Sequence, residues 1–191
     1  MTESKEQNSS PSIPPADPLT NRPKVLIDEE RLQKRVAELA EEITRDYQHS
    51  KDVICLGVLK GSVFFMVDLL KQIDLPFVVD FFQVSSYGSG TVPGEVRIRK
   101  DADMSVRDRD VLLIEDIVDT GHTLQTILAL LRFRGARSVK LCALLDKQEA
   151  REIEVPIHYS GFEIDDVFVV GYGLDYDEKY RNLPYIGVFE Q

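Results

Sequence analysis

The run from Val111 to Ile114 is wholly apolar and leads straight into two adjacent carboxylates, Glu115 and Asp116. A short loop, Asp119-Thr120-Gly121-His122-Thr123, follows three residues after the second acid. Leu124, Ile127, Leu128 and Leu131 then recur at helical spacing as far as Arg134, and Gly135 is a natural stop. The stretch reads as a buried parallel strand, a loop at its carboxyl end, and a helix. That places the chain in the α/β class. In an open α/β sheet this edge is where ligands bind.

The loop residues suggest what kind of ligand. Thr120, Gly121, His122 and Thr123 sit where the helix begins, so unpaired N–H groups and the helix dipole favour an anion. Gly121 lets backbone approach a ligand closely, and the two threonines add hydroxyl donors. Glu115 and Asp116 supply acceptors and negative charge just upstream. Acceptors beside an anion cradle suit a ligand with both hydroxyls and phosphate, such as a sugar phosphate. Two other readings stay open on these residues alone: ordinary helix capping, and a metal-binding acidic pocket of the receiver-domain kind.

The same stretch resembles the ribose-phosphate signature of the type I phosphoribosyltransferases: an apolar strand, two acids, three residues, then Thr-Gly-x-Thr. Asp119, just before Thr120-Gly121, resembles the branch acting on 6-oxopurines. The likeness continues in separate blocks from about Val25 to the C-terminus. It implies a doubly wound, mainly parallel sheet flanked by helices, with a small hood built from N- and C-terminal segments. The implied reaction moves phosphoribose from phosphoribosyl pyrophosphate to hypoxanthine or guanine, with Asp119 as general base. The implied cofactor is Mg2+, and the implied assembly a homodimer or homotetramer. Another base such as xanthine, and an RNA-binding regulator with this fold, are the alternatives.

Composition bounds these readings. A chain of 191 residues is expected to form one domain with a real core. The net charge of −10 disfavours non-specific nucleic-acid or anionic-membrane binding, and leaves the RNA-binding alternative without an obvious basic face. No run of apolar residues reaches membrane-spanning length, and the N-terminus does not read as a secretory signal. Cys55 and Cys142 lie in apolar strand-like runs, which suits buried free thiols and a cytoplasmic setting. Residues 1–23 are rich in Ser, Pro, Asn and Thr and are expected to be a disordered tail, with the domain spanning 24–191.

Taken in order, Asp28 is a candidate N-cap for a helix whose apolar face runs from Leu32 to Tyr47. Residues 53–59 read as a strand buried on both faces, ending in Lys60-Gly61-Ser62. By resemblance that turn is the first pyrophosphate loop, with a cis Leu59–Lys60 peptide. A strand over 77–84 precedes a stretch rich in Gly and Pro. The resemblance makes this stretch a lid, with Ser86 and Tyr87 folding over pyrophosphate. Residues 95–100 read as a polar edge strand, 138–145 as a buried one, and 149–166 as an irregular crossing segment. In the family pattern Lys147 contacts the purine's exocyclic oxygen, Phe168 stacks on the base, and Val169 offers backbone to the base edge. Asp175 then matches a Mg2+ carboxylate assisted by Glu115 and Asp116, and Arg181 a pyrophosphate contact. A short strand is expected within 183–189.

Overall fold

The computed structural model describes residues 22–86 and 96–189. Residues 1–21, and the part of the expected lid that holds Tyr87, lie outside the described residues.

The chain opens with β1 (Lys24–Ile27) and α1 (Glu29–Tyr47), separated by Asp28, whose carboxylate accepts the Arg31 N–H at 2.8 Å. Glu29 and Glu30 add favourable charge to the first turn. There follow β2 (Val53–Leu59), α2 (Val63–Leu70), β3 (Phe77–Ser86), β4 (Val96–Lys100), β5 (Asp110–Val118) and α3 (His122–Phe133). The chain ends with β6 (Ser138–Asp146), β7 (Tyr159–Glu163), β8 (Val169–Val170) and β9 (Ile186–Val188).

Six strands form the main sheet in the order β4-β3-β2-β5-β6-β7. All neighbours are parallel except β3 and β4, so the polar strand is indeed an antiparallel edge. Side chains alternate between the two faces, as strand geometry requires. Cys55, Leu112, Ile114, Cys142 and Leu144 pack beneath α1 and α2. Ile54, Leu56, Val111, Leu113, Leu141 and Ala143 pack beneath α3 on the opposite face. Helices therefore cover both faces, which is the doubly wound arrangement.

One segment read as irregular contains a strand. β7 pairs in parallel with β6, from Cys142 against Tyr159 to Asp146 against Glu163. Its sequence, Tyr-Ser-Gly-Phe-Glu, lacks a sustained apolar run because its burial is only partial. β3 also runs two residues beyond its expected end, to Ser86.

A second sheet, in the order β1-β9-β8, forms the hood and joins the two ends of the described chain. Lys24 lies opposite Val188 and Val25 opposite Gly187. The buried hood residues Val169, Tyr172, Leu174 and Ile186 merge with the α1/α2 core. Tyr172 also donates from its hydroxyl to Asp68 on α2 at 2.7 Å. Cys55 and Cys142 are buried free thiols, and burial pushes the Cys55 thiol up to about 12. Among the described residues no helix is long and apolar enough to cross a membrane.

Strand order locates the working edge. From β2 the chain passes through α2 to β3 on one side, whereas from β5 it passes through α3 to β6 on the other. The reversal lies between β2 and β5, so the loops leaving their carboxyl ends diverge and open a crevice there.

Candidate active site

β5 is buried along its length up to Glu115, and the polar loop begins where the sheet ends. Gly121 caps α3 at φ 92°, a left-handed conformation that glycine adopts without steric cost. A side chain there would also overlap the Ile153 carbonyl. Gly121 O accepts the Gln125 N–H at 2.9 Å, so α3 starts cleanly. The first-turn amides of His122, Thr123 and Leu124 precede any intrahelical acceptor and remain available to an anion. Thr120, Gly121, His122 and Thr123 thus form the loop and first turn of α3. Asp119 stands exposed just before them.

The second loop comes from β2. The Leu59–Lys60 peptide is cis. Gly61 lies against the Asp116 carboxylate so closely that any side chain at 61 would overlap it. Ser62 is fully buried and donates to the Val58 carbonyl at 2.6 Å, which ties the turn back to its strand. Gly173 from the hood packs on the Gly61 carbonyl in turn. Lys60, Gly61, Asp116 and the 173–181 segment therefore meet at one place.

Burial pushes the Glu115 carboxyl well above the usual range, and the neighbouring Asp116 charge pushes it further. Its Oε2 is buried and has no hydrogen-bond partner among the described residues. Burial likewise raises Asp116, to about 6, although backbone amides and the Arg181 charge oppose the shift. Arg181 pairs with Asp175 at 2.7 Å and donates to the Gly173 carbonyl at 2.7 Å. A buried Glu115 oxygen without a donor beside the half-buried Asp116 carboxylate suits sugar hydroxyls or a hard cation. Among the described residues, no three His, Cys, Asp or Glu side chains form a ready-made metal cluster.

Across the crevice, Lys147 follows β6 and its N–H donates to the Val118 carbonyl at 3.0 Å, beside Asp119. Its side chain is nearly buried, and Nζ reaches Asp166 Oδ1 at 3.2 Å. Phe168 is 47% exposed, although it is a large aromatic. Tyr176 packs edge-on against it, with ring centroids 5.8 Å apart. The result is an open aromatic shelf next to the buried Val169 of β8. Ser86 ends β3, and its side chain lies outside the described residues, as does Tyr87.

Two participants escaped the sequence reading. Arg151 donates to the Asp119 carbonyl at 2.9 Å and to Val118 O at 3.4 Å, and forms a buried ion pair with Asp146. Glu152 and Ile153 donate backbone N–H groups to the Thr120 carbonyl, and Glu152 pairs with the His122 ring at 2.8 Å. The 147–158 crossover thus buttresses the cradle from outside. Glu178 is the other: it meets Lys60 at 2.9 Å and Arg181 at 3.2 Å. Their only sequence signal was a charged residue in a polar stretch.

Comparison with known proteins fits this geometry. Residues 26–177 match the model of the phosphoribosyl transferase domain. The chain is 54% identical over 168 residues to the hypoxanthine-guanine phosphoribosyltransferase of Bacillus subtilis, covering 87% of this chain and 93% of that protein. It is 46% identical to the hypoxanthine phosphoribosyltransferase of Escherichia coli, covering 85% of this chain and 93% of that one. A crystal structure of a hypoxanthine phosphoribosyltransferase from Staphylococcus aureus superimposes with a TM-score of 0.83 at 49% identity, covering 87% of this chain and 91% of that one.

Proposed function

The chain belongs to the phosphoribosyltransferase family and is a purine-salvage enzyme of the hypoxanthine phosphoribosyltransferase kind, and we propose that Asp119 is the general base of its reaction. The observation that carries this reading is the position of Asp119. It is an exposed carboxylate between an amide cradle and the strand that presents Lys147.

In this reading the amides of 120–123 hold the 5′-phosphate of phosphoribosyl pyrophosphate. Glu115 and Asp116 accept from the ribose hydroxyls, which gives the unpartnered Glu115 Oε2 a donor. Lys60, Gly61, Ser86, Tyr87 and Arg181 receive the pyrophosphate, with Arg181 presenting a fixed fork of donors. Phe168 stacks on the purine, Val169 meets its edge, and Lys147 donates to the carbonyl at C6. Asp119 accepts, or hydrogen-bonds to, the proton at N7 as N9 bonds to C1′. A positioned base of this kind contributes ~10²–10⁴-fold. The N–C1′ bond forms as the C1′–O bond to pyrophosphate breaks.

The oxygen-rich donor set of Asp175, Asp116 and Glu115 fits Mg2+, held largely through substrate because the described residues form no cluster of their own. When bound, Mg2+ neutralises pyrophosphate charge and makes it a better leaving group. Assembly as a homodimer or homotetramer and a cytoplasmic location complete the reading.

A spectrophotometric panel of hypoxanthine, guanine, xanthine and adenine with phosphoribosyl pyrophosphate, with Mg2+ and with chelator, tests it. Turnover of hypoxanthine or guanine that needs metal is expected. Preference for adenine or a pyrimidine, or full activity in chelator, defeats the reading.

A further inference from the structure

Lys60 and Arg181, read above as pyrophosphate contacts, share one protein anion. Glu178 Oε2 accepts from Lys60 Nζ at 2.9 Å and from Arg181 Nη2 at 3.2 Å. Lys60 and Glu178 lie 118 residues apart in sequence, so the tertiary fold creates the contact. One carboxylate oxygen between two cations takes donors that a phosphate oxygen would use, although Arg181 Nη2 is shared with Asp175 at 2.7 Å. The backbone holds it there. Glu178 has φ 61°, after Asp177 at 51° and two residues before Tyr180 at 73°, a conformation uncommon outside glycine. Its N–H donates to Asp175 Oδ2 at 2.9 Å. The side chain itself is 66% exposed and that of Lys60 is 53% exposed. Ion pairs this solvated are weak, and a multivalent anion can replace them.

We propose that Glu178 is a displaceable internal counter-anion, standing in for pyrophosphate between Lys60 and Arg181 when no substrate is bound. This rests on the assignment of those two residues to the pyrophosphate site. Phosphoribosyl pyrophosphate must displace the carboxylate to bind, and after transfer its return helps to expel pyrophosphate. The apparent affinity for pyrophosphate is then lowered by the fraction of molecules in which Glu178 occupies the site. One exposed pair and one partly covered pair, with the Arg181 side chain 21% exposed, correspond to about three- to tenfold. The purine end, at Lys147 and Phe168, is untouched.

The test uses the full chain and its Glu178→Gln and Glu178→Ala variants, with inorganic pyrophosphate and Mg2+ titrated calorimetrically. Pyrophosphate should bind about three- to tenfold more tightly to both variants. KM for phosphoribosyl pyrophosphate should fall in parallel, and KM for hypoxanthine should not move. A Glu178 that only braced the loop would weaken binding or leave it alone. Unchanged or weaker pyrophosphate binding in either folded variant overturns the proposal. Arg181→Gln, measured alongside, separates the two levels. If it weakens pyrophosphate binding while the Glu178 variants show no gain, only the counter-anion idea fails. If neither Arg181→Gln nor Lys60→Gln weakens binding, the pyrophosphate assignment fails and the proposal goes with it.

Discussion

Gly173 of the hood lies directly against the carbonyl of Gly61, in the turn after β2, with no room for a methyl group between them. Its φ of 108° is also one that L side chains rarely adopt. Gly173→Ala therefore meets both a backbone penalty and an overlap. We expect a loss of about 2–4 kcal/mol, with pyrophosphate binding impaired because Gly61 must shift. Denaturant unfolding measures it, and a change within about 0.5 kcal/mol would show that the hood does not seat as described.

Asp119→Asn preserves shape but removes proton affinity. The kcat should fall by ~10²-fold or more with phosphoribosyl pyrophosphate binding nearly intact, because the cradle works through backbone amides. Single-turnover kinetics isolate the chemical step. An unchanged rate there removes Asp119 from the role of base.

Lys147 carries only donors, so it complements a carbonyl at purine C6 and opposes the amino group of adenine. Asp166, at 3.2 Å, holds the ammonium at the crevice. Discrimination of ~10⁴-fold against adenine is expected, since a site built on a polar contact rejects an analogue lacking the partner. Lys147→Gln should narrow the gap, as an amide offers either a donor or an acceptor. If the variant's kcat/KM ratio equals that of the parent, selectivity resides elsewhere.

Away from the site, Asp110 accepts a two-pronged contact from Arg137 at 3.0 and 2.7 Å and a hydroxyl from Ser138 at 2.7 Å. The Arg137 contact, aided by Ser138, holds its carboxyl at about 2, below the ordinary 3.8. A depressed folded value means stability that is present above the ordinary value and lost as pH falls through the folded one. The gap corresponds to about 2 kcal/mol. Asp110→Asn should cost about that much at pH 7, and the difference from the parent should shrink between about pH 4 and pH 2. A difference that stays constant across that window contradicts the pairing.

What could be read in advance depended on whether a residue's role lies in its local pattern. β5 declares itself because Val111 to Ile114 are buried on both faces, and the cradle because Gly121 needs its left-handed turn. β7 left little trace. It is half-buried, and Gly161 packs on the Leu144 carbonyl where another strand would show a side chain. Arg151 and Glu178 were invisible for a different reason. Each acts on a group supplied by a distant part of the chain, Asp119 for one and Lys60 for the other, and no periodicity records such a meeting. The Tyr172 hydroxyl on Asp68 is a contact of the same long-range kind.

The hood has a bearing on the order in which the fold can close during synthesis. Its middle strand, β9, is made from nearly the last residues described, and it pairs with β1, near the first residues described, and with β8. A nascent chain released as far as β6 already has the strands and loops for an amide cradle. It has no aromatic shelf, no Arg181 and no partner for β1. Closing Lys24 onto Val188 is a long loop closure whose entropic cost grows only slowly with length, but it cannot begin until β9 has emerged. The residues of the α3 loop are therefore all made before β9, and the hood sheet can close only once β9 is made.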